Sequence, residues 1–221
     1  MVLIVVPAYN EEKTIGRVVR GLLQHGYNGI VVVDDGSGDA TYNEARAAGA
    51  LVLHHEINRG QGAALETGDE YARLAGANAI VHFDADGQFN PADIKPALQR
   101  MEASRADVVL GSRFLDERSQ IPLFKKYLIL PVGRWINYVF SGVKLTDAHN
   151  GFRIFNRKAL AAVHITLDGM AHNTEIVRQS RKAGLRLIEV PVEITYHTYG
   201  QGFFGGVKIV GDLIWRLIVG K

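Results

Sequence analysis

The sequence predicts an α/β protein of one domain, built on a doubly wound and mostly parallel sheet. Three observations lead there. Short apolar runs alternate with helix-period segments in a βαβα rhythm. The runs are continuous rather than alternating in polarity, as strands covered on both faces are. At 221 residues and 47% hydrophobic content, the chain is long enough to fill one core and within the range of a single α/β domain.

Strands are expected at residues 2–6, 29–34, 50–54, 79–84 and 108–111. After the first comes a helix whose apolar stripe is Ile15, Val18, Val19, Leu22 and Leu23. Asn10 is its expected N-cap, with Glu11 and Glu12 in the first turn at the positive helix end. After the fourth strand, Ile94, Ala97, Leu98 and Met101 make another stripe, opened by Asn90 as cap and Pro91 at the first helical position. A later helix is expected from "HNTEIVRQSRKAG", capped by Asn173 or Thr174 and followed by Gly184. No repeat, linker or low-complexity segment interrupts the chain.

Composition removes several classes of function. A formal net charge of +2 is too small to make nucleic acid the main partner, although a pI near 8.8 permits a local basic patch. Without cysteine there are no disulfides and no thiolate metal sites. The opening "MVLIVVPAYNEE" meets charge and a proline too early for a signal peptide and lacks a basic start, so it reads as the first strand. The pattern G-x-x-x-x-G-K-[ST] and an early G-x-G-x-x-G are missing, which argues against a P-loop ATPase and a classical dinucleotide binder.

In open sheets of this kind, ligands sit outside the carboxyl ends of the strands. The polar residues of this chain gather there. Pro7-Ala8-Tyr9-Asn10-Glu11-Glu12 follows the first run, Asp34-Asp35-Gly36-Ser37-Gly38-Asp39 the second, Asn58-Arg59-Gly60-Gln61-Gly62 the third, and Gly111-Ser112-Arg113 the fifth. The fourth, "IVHFDADGQFNP", empties into Asp84-Ala85-Asp86. Two carboxylates one residue apart repel each other. A hard cation, Mg²⁺ or Mn²⁺, with Gln88 supplying another oxygen and a diphosphate as counter-charge, resolves that repulsion. The plainer alternative is that Asp84 ends a strand and Asp86-Gly87 makes a turn. Asp35-Gly36 is likewise a turn or a site, Asp39 a helix cap or part of the site, and Gly60 and Gly62 a tight connection or a phosphate cradle.

Taken in order, "VVPAYNEEKTIGRVV", "VVVDDGSGDAT", "NRGQGAALETG", "VHFDADGQFNP" and "DVVLGSRF" resemble the GT-A-fold family 2 glycosyltransferases, and most of all the dolichyl- or polyprenyl-phosphate hexose synthases. The likeness runs from Val2 to about Tyr196. It implies a Rossmann-like GT-A domain in which residues 1–115 form the nucleotide-sugar-binding half and 116–200 the acceptor half; residues 201–221, beyond the likeness, read from their own pattern as an amphipathic C-terminal helix. It also implies that Pro7, Tyr9 and Glu11 contact the nucleotide and that Asp35 reads the base. Asp84, Ala85, Asp86 and Gln88 would meet ribose, metal and diphosphate, with Asp84, Asp86 and Gln88 as ligands of Mg²⁺ or Mn²⁺. Arg113 would lie against the phosphates.

In the second half, "LTDAHNGFRIFNRKAL" resembles the family's segment in which an acid precedes Gly-Phe-Arg, which implies roles for Asp147 and Arg153. His149-Asn150 stand where the family more usually has a small residue. His149 reads equally as a structural or a catalytic histidine, and Glu175 as a helix-terminus acid or an acid facing the active site. Where the family often carries an arginine or lysine to clamp diphosphate, this chain offers His197 and, further on, Lys208.

The activity implied is metal-dependent transfer of a hexose from a GDP- or UDP-linked nucleotide sugar to a polyprenyl phosphate, with inversion. A phosphate monoester oxygen is already anionic near neutral pH, so positioning and charge carry the catalysis. Arg153, with Lys125 or Lys126, is expected on the acceptor phosphate; Asp147 orients the nucleophile or steadies positive charge on the sugar. Trp135, Ile136, Val139, Phe140 and Val143 fall at helical spacing near Lys125, Lys126 and Arg134, and "FFGGVKIVGDLIWRLIVGK" is apolar but for Lys208, Asp212 and Arg216. Those charges argue against a bilayer span; a broad apolar face suits a membrane surface, a homo-oligomer contact or the core. The expectation is a cytoplasmic protein, peripheral on the cytoplasmic face of a membrane. A family 2 glycosyltransferase with a soluble or protein acceptor, and a nucleotide-sugar-binding protein without turnover, are the alternatives.

Overall fold

A computed structural model of the chain describes residues 1–116, 138, 142–147, 150–169 and 171–195. The first apolar run forms β1 (Val2–Ala8), buried from Leu3 onward. Its side chains alternate between two cores. Ile4 and Val6 pack with Ile15, Val19 and Leu22 of α1 (Ile15–Gln24), whereas Leu3 and Val5 face Leu65 and Ala72 of α3 (Gln61–Leu74). A strand with helices on both faces has no polar side to show, hence its unbroken hydrophobicity. Each such buried aliphatic side chain contributes roughly 1.5–3 kcal/mol.

The other parallel strands are β2 (Ile30–Asp34), β3 (Leu51–His54), β4 (Ala79–His82) and β5 (Val108–Ser112). Helix α2 (Thr41–Ala47) joins β2 to β3, and α4 (Ile94–Ser104) precedes β5. All five strands were expected, within one or two residues at each end. Beyond them lie β6 (Arg153–Asn156), α5 (Arg157–Ala162), α6 (His172–Lys182) and β7 (Leu187–Pro191). The sheet order is β3-β2-β1-β4-β6-β5-β7, and β6 alone among these strands runs antiparallel, between β4 and β5. The carboxyl ends of β1 to β5 therefore share one edge.

Two caps differ from expectation. Helix α1 starts at Ile15, after a turn in which Thr14 and Ile15 N–H donate to the Glu11 carbonyl at 3.0 and 2.9 Å. Asn10 stands outside it with φ 55°, donating its N–H to Ser37 Oγ (2.9 Å) and accepting from Gly38 N–H (3.0 Å). Bonds across to the neighbouring loop replace the local cap. Helix α6 starts at His172 with Ala171 before it and no side-chain cap; Asn173 lies inside its first turn and is used elsewhere. Asn90 does behave as expected, accepting from Ala92 N–H (3.0 Å) where Pro91 opens a 3₁₀ turn into α4. Gly184, at φ 66°, follows the end of α6. Of the apolar segment around Trp135, residue 138 and residues 142–147 are described, and Val143 packs against the α3-side core. The C-terminal segment from residue 201 lies outside the described residues, as do His149, His197, Lys125, Lys126 and Arg134.

Candidate functional site

Asp84 lies two residues past β4, where the apolar run has just ended. Its Oδ1 accepts from Gln61 Nε2 at the start of α3 (3.1 Å). A Cβ on residue 151 would come within 2.3 Å of Asp84 Oδ2, so only glycine lets the 150–152 chain pass against this carboxylate. Burial first, and then the neighbouring charges of Asp86 and Glu11, push Asp84 up to about 7 against the pull of Arg153. Glu11, after β1, is likewise raised by burial, relieved by the Thr14 hydroxyl and raised again by Asp86 and Asp39. Three carboxylates from two strand ends thus share one negative field.

That field favours a cation. Among the described residues no three histidine or acidic side chains are gathered into a ready-made metal cluster. The arrangement fits Mg²⁺ or Mn²⁺, which are commonly held by one or two carboxylates and completed by substrate phosphates. The turn reading of the same residues also holds: Gln88 N–H donates to Asp86 Oδ1 (2.9 Å) around Gly87 at φ 74°. The turn places Asp86, and Gln88 is pinned in turn by Thr195 N–H on its carbonyl (3.0 Å).

On the neighbouring strand end, Asp35 is 3% exposed and ties the 55–60 connection to β2. Its Oδ1 accepts from His55 Nδ1 (2.7 Å) and Arg59 N–H (2.9 Å), its Oδ2 from Gly60 N–H (2.7 Å). Gly60 and Gly62 serve a close chain crossing. A Cβ at 62 would stand 2.1 Å from the Leu167 carbonyl and one at 60 would stand 2.4 Å from that of Asp168, while Gly62 N–H donates to Asp168 O (2.8 Å). Glu175 braces the crossing chain by accepting from Thr166 N–H and Leu167 N–H, both at 3.0 Å. It is a buried support for the segment over α3, used by backbone donors. Asp39 takes the cap-like role, accepting from Thr41 N–H (2.9 Å) where α2 begins.

Past β5, Arg113 meets Asp147 through two parallel bonds, Nε to Oδ2 at 2.6 Å and Nη2 to Oδ1 at 2.7 Å, and its backbone N–H adds a third (3.1 Å). Burial raises Asp147, but the bonds and charge of Arg113 outweigh it and hold the carboxyl below its usual range. Asp147 is therefore an anion at neutral pH. Glu189 on β7 fixes the segment, accepting from Thr146 N–H (2.9 Å), Thr146 Oγ1 (2.8 Å) and Asp147 N–H (3.1 Å). Arg153, at 3% exposure, lies beneath the site. Its Nη2 donates to the Asn150 carbonyl (2.9 Å) and to Asn173 Oδ1, and burial lowers it to about 10 against the support of Asp84, Asp69 and Asp147.

The structure therefore brings Glu11, Asp84 and Asp86 into one field, and pairs Arg113 with Asp147 over a buried Arg153. Tyr9 is 49% exposed just past β1, while Pro7 lies within β1 beside Val33. Ala85 is buried. Sequence reasoning passed over Gln61 and Glu189 as site residues and gave Asn173 only the role of a helix cap. Gln61 stood in a quoted motif and carried a usable signal; the other two reach their partners only through tertiary folding.

The family model described as glycosyl transferase family 2 matches residues 3–163. The UDP-N-acetylglucosamine–dolichyl-phosphate N-acetylglucosaminyltransferase of Methanococcus voltae is 33% identical over 242 residues, covering 100% of this chain and 96% of that protein. The undecaprenyl-phosphate mannosyltransferase of Micrococcus luteus is 28% identical, covering 96% and 90%. Among solved structures, mannosyl-3-phosphoglycerate synthase from Rubrobacter xylanophilus superposes with a TM-score of 0.73 at 20% identity, over 98% of this chain and 74% of that one. Glucosyl-3-phosphoglycerate synthase from Mycobacterium tuberculosis, in complex with Mn²⁺ and UDP-glucose, gives 0.72 at 18% identity, over 98% and 78%. The fold is thus the GT-A fold.

Proposed function

The chain belongs to glycosyl transferase family 2, and on that premise we propose that it moves a sugar from a nucleotide-sugar donor to a polyprenyl phosphate, inverting the anomeric centre. The observation that carries this reading is the negative field of Glu11, Asp84 and Asp86 beside the Arg113–Asp147 pair, at the carboxyl edge of the sheet. The likeness over nearly the full length to enzymes named for dolichyl and undecaprenyl phosphate supports the acceptor class.

Asp84, Asp86 and Gln88 would hold Mg²⁺ or Mn²⁺, which when bound supplies positive charge for the departing diphosphate. The residues of the chain do the rest. Tyr9 and Asp35 flank the nucleotide end, and Asp35 also keeps the 55–60 connection shaped for it. An oxygen of the acceptor phosphate forms the bond to the anomeric carbon as the bond to the nucleoside diphosphate breaks, and the electron pair leaves with the diphosphate. No proton moves, because the nucleophile is already an anion. Asp147, ionised and bound to Arg113, acts by positioning that guanidinium. Arg113 and the buried Arg153 provide fixed positive charge against the phosphates, which in a site of low dielectric is worth more than in water.

Among the described residues no helix is long and apolar enough to cross a membrane. We place the meeting with the lipid acceptor at a membrane surface, on the cytoplasmic side. A panel of nucleotide sugars with Mn²⁺ or Mg²⁺, scored for nucleoside diphosphate release with and without a polyprenyl phosphate, tests the proposal. Release that depends on the lipid supports it. Full activity on a short water-soluble phosphate and none on the lipid replaces it with a soluble-acceptor enzyme.

A further inference from the structure

Asp69 on α3 and His82 on β4 are among the most deeply buried polar residues of the protein, at 0% and 1% exposure. Asp69 Oδ1 lies 2.8 Å from His82 Nε2. Around them the α3-side core is apolar, with Leu65, Ile80 and Phe155, and the imidazole packs edge-on to Phe155 at 5.1 Å. Replacing such a buried polar pair with hydrophobic residues of like volume is often neutral or stabilising. Stability alone gives the pair no reason to exist.

Its neighbour supplies the reason. In the antiparallel register of β4 and β6, His82 stands directly opposite Arg153, and residues so paired point to the same face. Arg153 is a buried cation whose supporting charges are Asp84, Asp69 and Asp147. Two of those three have other work. Asp147 is neutralised by the two bonds from Arg113, and Asp84, on the reading above, gives its charge to the donor's cation. A buried guanidinium stripped of both would be left without compensation, which is strongly unfavourable. Asp69 is the one that a ligand in the cleft does not reach. Its position is fixed by His82; the Asn150 carbonyl and Asn173 hold Nη2 of the guanidinium, while Nη1 and Asp69 Oδ2 are both buried without a hydrogen-bond partner among the described residues, so Asp69 acts on Arg153 through space.

We propose that Asp69, held by His82, is the standing counter-charge of Arg153, balancing that buried guanidinium while Asp84 serves the donor. Asp69 and His82 are positioning residues that act through Arg153 and touch no substrate. The proposal rests on the reading of Arg153 as a fixed charge for the transfer step.

A double-mutant cycle with Asp69→Asn and Arg153→Met tests it. Asparagine keeps the volume and a carbonyl that accepts from His82. Asp69→Asn should lower kcat by about tenfold or more, the scale of coupling between residues sharing one network, and leave the affinity for Mn²⁺ and UDP nearly unchanged. In the Arg153→Met background the same change should cost nothing further. Urea unfolding reads the pairing without activity: Asp69→Asn should restore part of the stability lost in Arg153→Met, because it removes an uncompensated buried anion.

Fully additive losses in kcat and in stability, or wild-type kcat in Asp69→Asn, would overturn the proposal. If Asp69→Asn does not fold, His82→Gln and His82→Leu carry the test. The amide gives Asp69 a donor and should keep most of kcat, leucine should not, and equal kcat in the two overturns the assignment. Absence of turnover in every protein, with the stability coupling intact, would remove the transferase reading and leave the pairing standing. Turnover without coupling would do the reverse.

Discussion

Arg113 closes a two-pronged ion pair on Asp147, its Nε and Nη2 donating at 2.6 and 2.7 Å to the two carboxylate oxygens, and the carboxylate side chain is fully shielded from solvent. The Arg113 side chain, proposed above to meet phosphate, is thereby stiffened before any ligand arrives. A bidentate pair also fixes the plane of the guanidinium, which a lone charge does not.

Removing Asp147 should take from Arg113 a two-pronged ion pair whose carboxylate is fully buried. Asp147→Ala is expected to cost about 3–5 kcal/mol of stability, and Asp147→Asn less, since the amide oxygen still accepts one bond. Urea unfolding measures both. Because Asp147 acts by holding Arg113, Asp147→Asn and Arg113→Ala should lower turnover by similar factors, and the double variant should lose little more than either.

The carboxylate field of Asp84, Asp86 and Glu11 should depend on a divalent ion for donor binding. Asp86→Ala is expected to abolish metal-dependent binding of a nucleotide sugar with the fold intact, since a strand-end turn tolerates substitution. Calorimetry with and without EDTA decides this. Binding that is the same in the variant, or unaffected by EDTA in the native protein, would remove the metal from the site.

Gly62 offers a test of the crossing above α3. A methyl group there meets the Leu167 carbonyl at 2.1 Å, backbone that cannot swing aside. Gly62→Ala should destabilise the protein by about 1–3 kcal/mol through overpacking, even though alanine favours a helix. Gly38→Ala, where nothing lies within 4 Å, should come out near neutral in the same denaturation series.

Asp107 sets a pH dependence away from the site. Burial raises its carboxyl, but Arg186 N–H, Asn156 and Lys158 together outweigh that and hold it below its usual range. A carboxylate with its folded pKa depressed contributes stability that is fully present above the unfolded pKa, near 3.8. That contribution is lost as pH falls through the folded value. Asp107→Asn should thus lose about 1–2 kcal/mol near neutral pH and converge on the native protein once pH has fallen through the depressed folded value. Parallel titration curves of stability would sink the assignment.

The parallel half of the fold was legible because β1, β2 and β4 are buried on both faces and say so in runs such as "VLIVV" and "IVVVD". β6 gave no such sign. It is four residues long and opens with Arg153, a charge that only its tertiary neighbours make tolerable in a central strand. β7 was hidden differently, its first residues being only partly buried at the edge of the sheet. At the site, Asp84 and Asp86 stood out because polar segments follow all five expected strands and so gather at one edge of the sheet. The misplaced caps share one cause: Asn10 and Asn173 both have the chemistry of a local cap, and the side-chain oxygen of each is taken by a partner distant in sequence, Gly38 and Arg153. The brace that Glu175 gives to Thr166 and Leu167 was equally invisible, since nothing local marks an acid that will serve backbone donors.

The antiparallel strand β6 has a consequence for how such enzymes diversify. The chain leaves the sheet after β5 and comes back on the strand next to it, and Gly111 N–H donates to the Phe152 carbonyl at 2.9 Å where the exit and the return lie side by side. An excursion whose two ends are stitched together this way is a cassette. Its length and content can change at small entropic cost, because closing a longer loop costs only logarithmically more. Arg113 and Arg153 sit at its two boundaries; on the proposed reading, a chimera carrying a relative's residues between them keeps the donor chemistry and takes on the relative's acceptor, which acceptor assays on the chimera would check.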